Sequence, residues 1–289
     1  MDPCPFSIWS VAYVSHVEKK SHDNLDDMKM TLVIDVRIVQ GSGLMTSTTL
    51  AFHAEKLHEQ RVWKKVERVA GWMAEHNMKA TFFVYPFPAA VAGKSISERV
   101  QWLGSLGHEI AQHTHFYAGT KIAKHEKRDD LSKANVVHCI RRDFETLKEF
   151  GFSPKGFTAG SWFVNDEVLD ALVELGFVYD CSAQFPRPKT SGPVPNNRWL
   201  GAPQYYSNSH GRVLCLPTTC SLGEWFKWGR KARRESDQFY QIVYLHDYDL
   251  LSPKRGLLLF CFLKVIKWKV LEQSASLAER CLFSGGSLS

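Results

Sequence analysis

The hydrophobic pattern of the chain alternates between short apolar runs and longer stretches where apolar residues recur every three or four positions. The short runs predict buried strands at residues 30–36, 79–85, 108–112, 177–180, 213–217, 241–245 and 268–271. The longer stretches predict helices at residues 57–77, 97–106, 131–150, 165–175 and 256–266. This alternation is typical of α/β proteins with βα units around a parallel sheet. We therefore expect an irregular (β/α) barrel of about seven strands that does not close fully.

The same pattern predicts how the chain is divided. Residues 1–28 lack a regular pattern and are expected to form an irregular N-terminal appendage. Residues 29–280 are expected to form the barrel, and residues 281–289 a C-terminal tail. Residues 183–211 hold five prolines and several small polar residues, which predicts a long surface excursion. Segments of this kind in a compact domain often shape a binding cleft.

Composition narrows the class of protein. With 289 residues, of which 44% are hydrophobic and 23% charged, the chain is expected to be globular. Its seven cysteines are scattered without a Cys-x-x-Cys pair, which favours a reducing compartment. No apolar run reaches the ~20 residues that span a bilayer, and residues 1–4 do not resemble a signal peptide. The expected location is cytoplasmic, with no transmembrane segment.

The net charge of +6 is mild, and its densest basic cluster lies at residues 230–234, close to Trp225 and Trp228. Such a cluster could rest on an anionic membrane or grip a phosphate group. It could equally be the solvated face of a helix with a packed tryptophan pair. Nothing in the chain has the aromatic interleaving of a nucleic-acid platform, so no nucleic-acid partner is expected.

Candidate chemistry lies where predicted strands end. Asp35 ends the first strand, His113 and His115 follow the strand at residues 108–112, and His246 with Asp247 follows the strand at residues 241–245. Enzymes built on parallel sheets place reactive side chains at the carboxyl ends of strands. Titratable groups at these positions therefore favour a hydrolytic or binding site. His108, at the start of its strand, is instead assigned to structure and expected to face the surrounding helices.

The order of four segments resembles the polysaccharide deacetylases of the NodB homology type, carbohydrate esterase family four. The matching segments are residues 32–35 (LVID), 79–84 (KATFFV), 107–114 (GHEIAQHT) and 244–250 (YLHDYDL), with a weaker match at 156–162 (GFTAGSW). The resemblance covers roughly residues 29–280. It implies a hydrolase that removes an N-acyl group, acetyl above all, from a sugar of a polysaccharide or its precursor.

The resemblance also implies a division of roles. Asp35 matches the general base, and His246 matches the acid that protonates the leaving amine. His113 matches the first histidine ligand of a divalent metal, for which zinc is expected. Such a metal polarises the acyl carbonyl and lowers the pKa of a water molecule.

The chain departs from the family pattern at three positions. Arg37 stands where a metal-binding aspartate is expected, Tyr117 where the second histidine is expected, and Thr158 near an expected arginine. His115 could replace the missing ligand, and Tyr117 could bind the metal or the substrate. Arg37 would repel a divalent cation unless it points away, or it could hold an anionic group of a ligand.

Two further residues are predicted to contact the substrate. Trp162 could stack on a sugar ring or cover the barrel mouth, and Asp247 could orient His246. The expected partner is a carbohydrate, linked to a lipid or a nucleotide if the protein acts on a precursor. Two other functions stay open: a catalytically degenerate barrel that binds a glycan or an anionic metabolite, and an amidase or deformylase of small molecules.

Overall fold

The structure, a computed structural model, describes residues 10–12, 36–38, 47–86, 95–116, 132–184, 200, 203–227 and 240–270. Strands in the described part fall into a small sheet of two strands and a large sheet of nine. The small sheet pairs β1 (Ser10–Ala12) with β2 (Val36–Ile38) in antiparallel fashion.

The large sheet carries the predicted alternation of strands and helices. Its strands are β3 (Ser47–Ala54), β4 (Thr81–Val84), β5 (Glu109–Thr114), β6 (Gly156–Ala159), β7 (Tyr179–Asp180), β8 (Gln204–Asn208), β9 (Gly211–Cys215), β10 (Cys220–Ser221) and β11 (Tyr240–His246). Their spatial order is β10-β11-β3-β4-β5-β6-β7-β9-β8. All neighbours are parallel except β8 and β9. The order has two ends, so within the described residues the barrel is open, as predicted.

Helices cover the outer face of the large sheet. They are α1 (Gln60–Glu75), α2 (Ser95–Ser105), α3 (Lys133–Glu149), α4 (Asp166–Glu174) and α5 (Pro253–Val270). In α1 the residues Val62, Val66, Ala70 and Met73 form a buried stripe at helical spacing. The side chain of Asn165 caps α4 by accepting a hydrogen bond from the Val168 amide at 3.0 Å.

Apolar residues pack on both faces of the sheet. One outer cluster joins α1, α2 and α5 to β3, β4 and β11, and a second joins α3 and α4 to β6 and β9. An interior cluster contains Ala51, Ile242, Tyr179 and Leu214. The rings of Phe83 on β4 and Tyr179 on β7 contact each other across this interior, with centroids 6.4 Å apart, although two strands lie between them in the sheet; the sheet therefore curls around its own interior.

Four sequence expectations differ from the structure. The strand between β4 and β11 is Ser47–Ala54, whereas residues 30–36 were expected there; Val36–Ile38 instead lies in the small sheet. Residues 268–270, expected in a last strand, belong to α5. The excursion expected at residues 183–211 contains β8, whose pairing with β9 adds an antiparallel edge. Residues 10–12 form β1 within the segment expected to be irregular.

Candidate metal and active site

The carboxyl ends of β3, β5 and β11 bring three imidazoles to one place. His53 and His246 are direct neighbours in the register of β3 and β11. Their ring centroids lie 5.3 Å apart, and the ring of His53 lies 5.1 Å from that of His113 at the end of β5. Side chains of a strand alternate between faces, so Glu55 follows His53 on the same side of the chain. The curled sheet thus gathers residues distant in sequence.

Glu55, His113 and His115 form a compact group of potential metal ligands. Oε1 of Glu55 lies 3.4 Å from Nε2 of His113 and 3.5 Å from Nε2 of His115. The two Nε2 atoms lie 3.1 Å from each other. The three candidate donor atoms therefore form a triangle with sides of 3.1, 3.4 and 3.5 Å.

The tautomer of His113 is set by its other ring nitrogen. Nδ1 lies 3.0 Å from the carbonyl oxygen of Thr158, which can only accept a hydrogen bond. Nδ1 therefore carries the proton, and in the neutral ring Nε2 presents its lone pair to Glu55 and His115. Backbone carbonyls hold metal-binding histidines in this way in many metalloproteins.

Burial shapes the charges of the group. Burial lowers the pKa of His113, and it lowers the pKa of His53 well below the usual value, so both rings are neutral near pH 7. Burial also acts to raise the pKa of Glu55, but the neighbouring imidazoles of His113 and His115 outweigh it and the pKa falls. A carboxylate therefore faces two imidazole nitrogens, an arrangement that a cation would stabilise.

The donor atoms fit a divalent metal. Ligands placed ~2.1 Å from a tetrahedral metal lie about 3.4 Å from one another. The three distances between the donor atoms, 3.1, 3.4 and 3.5 Å, match this geometry without rearrangement. One carboxylate and two imidazoles are also a set of protein ligands found in catalytic zinc sites, where the remaining position stays open.

His246 borders the ligand group and is oriented by Asp249. Nε2 of His246 lies 3.7 Å from Oε1 of Glu55, and Nδ1 lies 3.7 Å from Oδ2 of Asp249. The same oxygen of Asp249 accepts the backbone amide of His246 at 3.1 Å, and Arg255 approaches it to 3.8 Å. Burial acts to raise the pKa of Asp249, but the bonds of His246 outweigh it, so this carboxylate stays ionised.

Asp247, which was predicted to orient His246 and contact substrate, occupies a different environment. Its side chain is fully buried and accepts hydrogen bonds from the backbone amides of Lys56 at 2.7 Å and Tyr248 at 2.8 Å. Burial raises its pKa to about 7. Asp247 thus fixes the chain just after Glu55, and the position beside the His246 ring belongs to Asp249.

Trp162 lies over His53 on a strained turn. Its ring centroid is 5.2 Å from that of His53 and 4.9 Å from that of Tyr244. Ser161 and Trp162 both adopt left-handed backbone conformations, with φ of 55° and 58°. Each such conformation costs about 1–2 kcal/mol outside glycine. Strain of this kind is concentrated at functional sites.

Gly160, which begins the same turn, leaves room for His115. A Cβ atom at this position would lie 2.2 Å from Nδ1 of His115, far closer than atoms can approach. The ring of Tyr85 packs edge-on against the His115 ring, with centroids 5.0 Å apart. The turn that carries Trp162 therefore also fixes one of the potential metal ligands.

Three of the predicted site residues cannot be compared with this geometry. Asp35 and Tyr117 lie outside the described residues, and of Arg37 only the backbone is described, in β2. Their roles stay predictions. Thr158, near which an arginine was expected, is fully buried, and its hydroxyl has no hydrogen-bond partner among the described residues.

Sequence reasoning missed Glu55, His53 and Asp249. His53 lies in a strand that was not predicted and Glu55 directly follows it, although the run from residue 50 to residue 54 is apolar but for His53. Asp249 follows His246 by three positions and was present in the quoted segment at residues 244–250. Its signal was the one-turn spacing, which brings a side chain back beside the histidine.

Among solved structures, the chain is similar to a candidate polysaccharide deacetylase from Mycobacterium smegmatis. The two are 17% identical, with a TM-score of 0.57 over 83% of this chain and 91% of the other. A family 4 carbohydrate esterase from Streptomyces lividans in complex with acetate is 12% identical, with a TM-score of 0.45 over 80% and 91%. A CE4 family pseudoenzyme from Bacillus anthracis is 12% identical, with a TM-score of 0.47 over 78% and 62%. No protein with a curated description matches significantly.

Fold and site together define an open α/β barrel with a histidine and carboxylate cluster at its mouth. Residues 61–179 match the family model described as polysaccharide deacetylase. The resemblance drawn from the motifs is therefore confirmed as a match to this family model over 119 of the 289 residues. Among the described residues, no helix has both the length and the apolar character needed to cross a membrane.

Proposed function

We propose that the protein is a metal-dependent hydrolase that removes an N-acyl group, most simply acetyl, from a sugar of a polysaccharide or its precursor. The observation that carries this proposal is the triangle of donor atoms from Glu55, His113 and His115, with His246 at its border. The family match supports the reaction class, and the triangle supports the dependence on a metal.

Glu55, His113 and His115 are the proposed ligands of a divalent cation, with zinc favoured by the two imidazoles and one carboxylate. A cation there would supply a Lewis acid that polarises the acyl carbonyl. The chain itself supplies the orientation, because Thr158 holds Nδ1 of His113 and Gly160 makes room for the ring of His115. His115 takes the ligand position for which Tyr117 was the alternative.

His246 is the proposed general acid. Its Nε2 lies 3.7 Å from Oε1 of Glu55 at the border of the cluster, while Oδ2 of Asp249 lies 3.7 Å from Nδ1 and orients the ring. A proton on Nε2 would pass to the nitrogen of the departing amine. This use of an imidazole next to a carboxylate is a common arrangement for general acids.

The proton acceptor for the attacking water is the least constrained role. Asp35 remains the prediction drawn from the motifs. Among the described residues, His53 is the best supported candidate, because its neutral ring lies within 5.3 Å of His113 and His246 at the floor of the same site. Asp35→Asn and His53→Gln separate these two assignments, since only the true acceptor is needed for turnover.

The walls of the site support a sugar substrate. Trp162, Tyr85 and Tyr248 surround the imidazoles, and the ring of Tyr248 stacks on that of His246 with centroids 4.8 Å apart. Aromatic faces of this kind pack well against the apolar faces of pyranose rings. Arg37 and Tyr117 belong to this proposal as further substrate contacts, as does the linkage of the sugar to a lipid or a nucleotide in the cytoplasm.

A second function is favoured by one observation. Within the described residues, Glu55 is the carboxylate that faces His113 and His115, and His53 holds the strand-end position where a carboxylate base was expected. A barrel that has lost its base could bind a glycan or an anionic metabolite without hydrolysing it. An amidase acting on small molecules would need the same residues as the deacetylase, and only its product would differ.

The test is acetate release from N-acetylated chitooligosaccharides by the zinc-loaded full chain, measured with a coupled enzyme assay. The proposal expects turnover that is lost in His113→Ala and retained in His210→Ala, a matched control at an exposed turn outside the site. Glycan binding without acetate release would support the binding function. Release of formate or ammonia from small amides would support the amidase.

A further inference from the structure

A patch of aromatic and basic side chains lies on the outer face of α1 and α5. We call it the α1–α5 patch and define it by Trp72, Phe260 and Lys264. Phe260 is 48% exposed, the largest exposed fraction among the described large hydrophobic residues. Its ring centroid lies 6.5 Å from that of Trp72. Nζ of Lys264 lies 5.8 Å from the Trp72 centroid and 5.3 Å from the Phe260 centroid.

The patch is remote from the candidate active site. Trp72 follows the first residue of α1 by twelve positions, which places it about 18 Å along the helix. The start of α1 lies next to Glu55, so the patch sits toward the other end of the barrel. Its chemistry can therefore be tested independently of turnover.

The charge of α5 is entirely positive. The helix holds five basic residues and no acidic residue in its 18 positions, although it carries many large apolar residues. Lys254 and Lys264 are exposed, and Leu257 lies one turn before Phe260 on the same side of the helix. Glu75, three positions after Trp72 on α1, brings one negative charge to the edge of the patch.

We propose that the α1–α5 patch is a docking surface for an anionic lipid bilayer. Exposed aromatic and leucine side chains enter the boundary between headgroups and acyl chains, and lysines beside them attract anionic headgroups. Helix α5 has both features: its charged residues are all basic, and it carries the exposed Phe260. The described helices are not suited to span a membrane, so the contact would be peripheral.

The test is sedimentation of the full chain with vesicles of phosphatidylglycerol and phosphatidylcholine, compared with vesicles of phosphatidylcholine alone. We expect binding to the anionic vesicles that weakens as salt is added. Lys264→Glu should lower the partition coefficient about tenfold or more, since each charge near an anionic surface is worth roughly fivefold and the substitution changes the charge by about two units. Phe260→Gln should lower it by a similar factor.

The matched control is Lys148→Glu on α3, where the lysine is also exposed and pairs with Glu145. This variant should bind anionic vesicles within about twofold of the parent protein, because it makes the same charge change elsewhere. Circular dichroism checks that all variants are folded. Absence of binding to anionic vesicles, or equal loss in Lys264→Glu and Lys148→Glu, overturns the proposal. So does a dimer that Phe260→Gln dissociates, or binding of RNA in place of vesicles.

Discussion

The two ends of β5 carry buried imidazoles in opposite chemical situations. His108 precedes the strand, and its two nitrogens meet the amide of Ala80 and the carbonyl of Ala70, each at 3.2 Å. His113 lies near the other end, where one nitrogen meets a carbonyl and the other faces Glu55 and His115. Burial lowers the pKa of both rings, that of His108 to about 4.

The two histidines differ in whether a ring nitrogen has a lone pair available for a metal. Burial alone marks both as unusual, but each nitrogen of His108 already has a backbone partner, so the ring serves structure. Nε2 of His113 has potential ligands as neighbours, so the ring can serve a metal. Glu109, at the amino end of the barrel, is a second example of a polar side chain with a structural role. Its carboxylate accepts hydrogen bonds from the hydroxyl groups of Thr81 and Tyr179.

The largest effect is expected when each of the two histidines is replaced in turn. His113→Ala should lower zinc affinity at least about 100-fold, because it removes one of three protein ligands. His108→Ala should leave zinc affinity unchanged but lower the free energy of unfolding by about 2 kcal/mol, because two buried backbone groups lose their partner. Isothermal titration with zinc and urea denaturation measure the two effects. Equal zinc affinities in the two variants would contradict the comparison.

His246 should be needed for turnover but not for the metal. His246→Ala is expected to lower kcat by about 10²–10⁴-fold, the usual contribution of a general acid, with zinc still bound. Asp249→Asn should lower kcat by about tenfold, because Asp249 orients the ring without itself transferring a proton. Steady-state acetate release with zinc content measured in parallel checks both. Loss of zinc in His246→Ala would instead make this residue a ligand.

Gly160 tests whether the packing around His115 is needed for zinc binding. Gly160→Ala would place a methyl group 2.2 Å from Nδ1 of His115, so the ring must move and zinc affinity should fall about 10–100-fold. The matched control is Gly256→Ala on α5, where no atom lies within 4 Å of the added carbon. The control should keep its zinc affinity. Zinc titration of both variants measures the effect. Equal zinc affinities in Gly160→Ala and Gly256→Ala would show that Gly160 does not position His115.

The smallest expected effect concerns pH and a buried carboxylate outside the site. Asp143 on α3 is fully buried beside Arg142, and burial raises its pKa to about 6. The folded protein then binds more protons than the unfolded chain between about pH 4 and 6, so its stability falls as pH rises through this window. Asp143→Asn should flatten that fall, which amounts to at most about 3 kcal/mol. Urea denaturation at several pH values measures it; parallel curves for both proteins would contradict the assignment.

Much of the fold could be predicted because local patterns and tertiary structure agree. The apolar stripes of α1 and α3, the runs of β4, β5 and β11, and the caps of α4 all coincide with the structure within a few residues. His113, His115 and His246 follow from strand ends that were correctly predicted. These elements depend on burial patterns that a single sequence displays.

The first strand was misplaced because propensity competed with connection length. Residues 31–38 are rich in valine and isoleucine, whereas β3 begins with one serine and two threonines. Val36 lies more than twenty residues before the start of α1, however, and Ala54 lies six before it. Connections between a strand and its following helix are usually short, which favours β3. Had the length of the connection to α1 been considered, the strand would have been placed at β3, and His53 and Glu55 would have been candidate site residues.

The central claim is that Glu55, His113 and His115 bind one metal ion together. Crystals of the zinc-loaded full chain, measured above the zinc absorption edge, would locate the metal by its anomalous scattering. We expect a single strong peak about 2.1 Å from Oε1 of Glu55 and from the Nε2 atoms of His113 and His115. A peak elsewhere, or no peak at this position in zinc-loaded crystals, would contradict it.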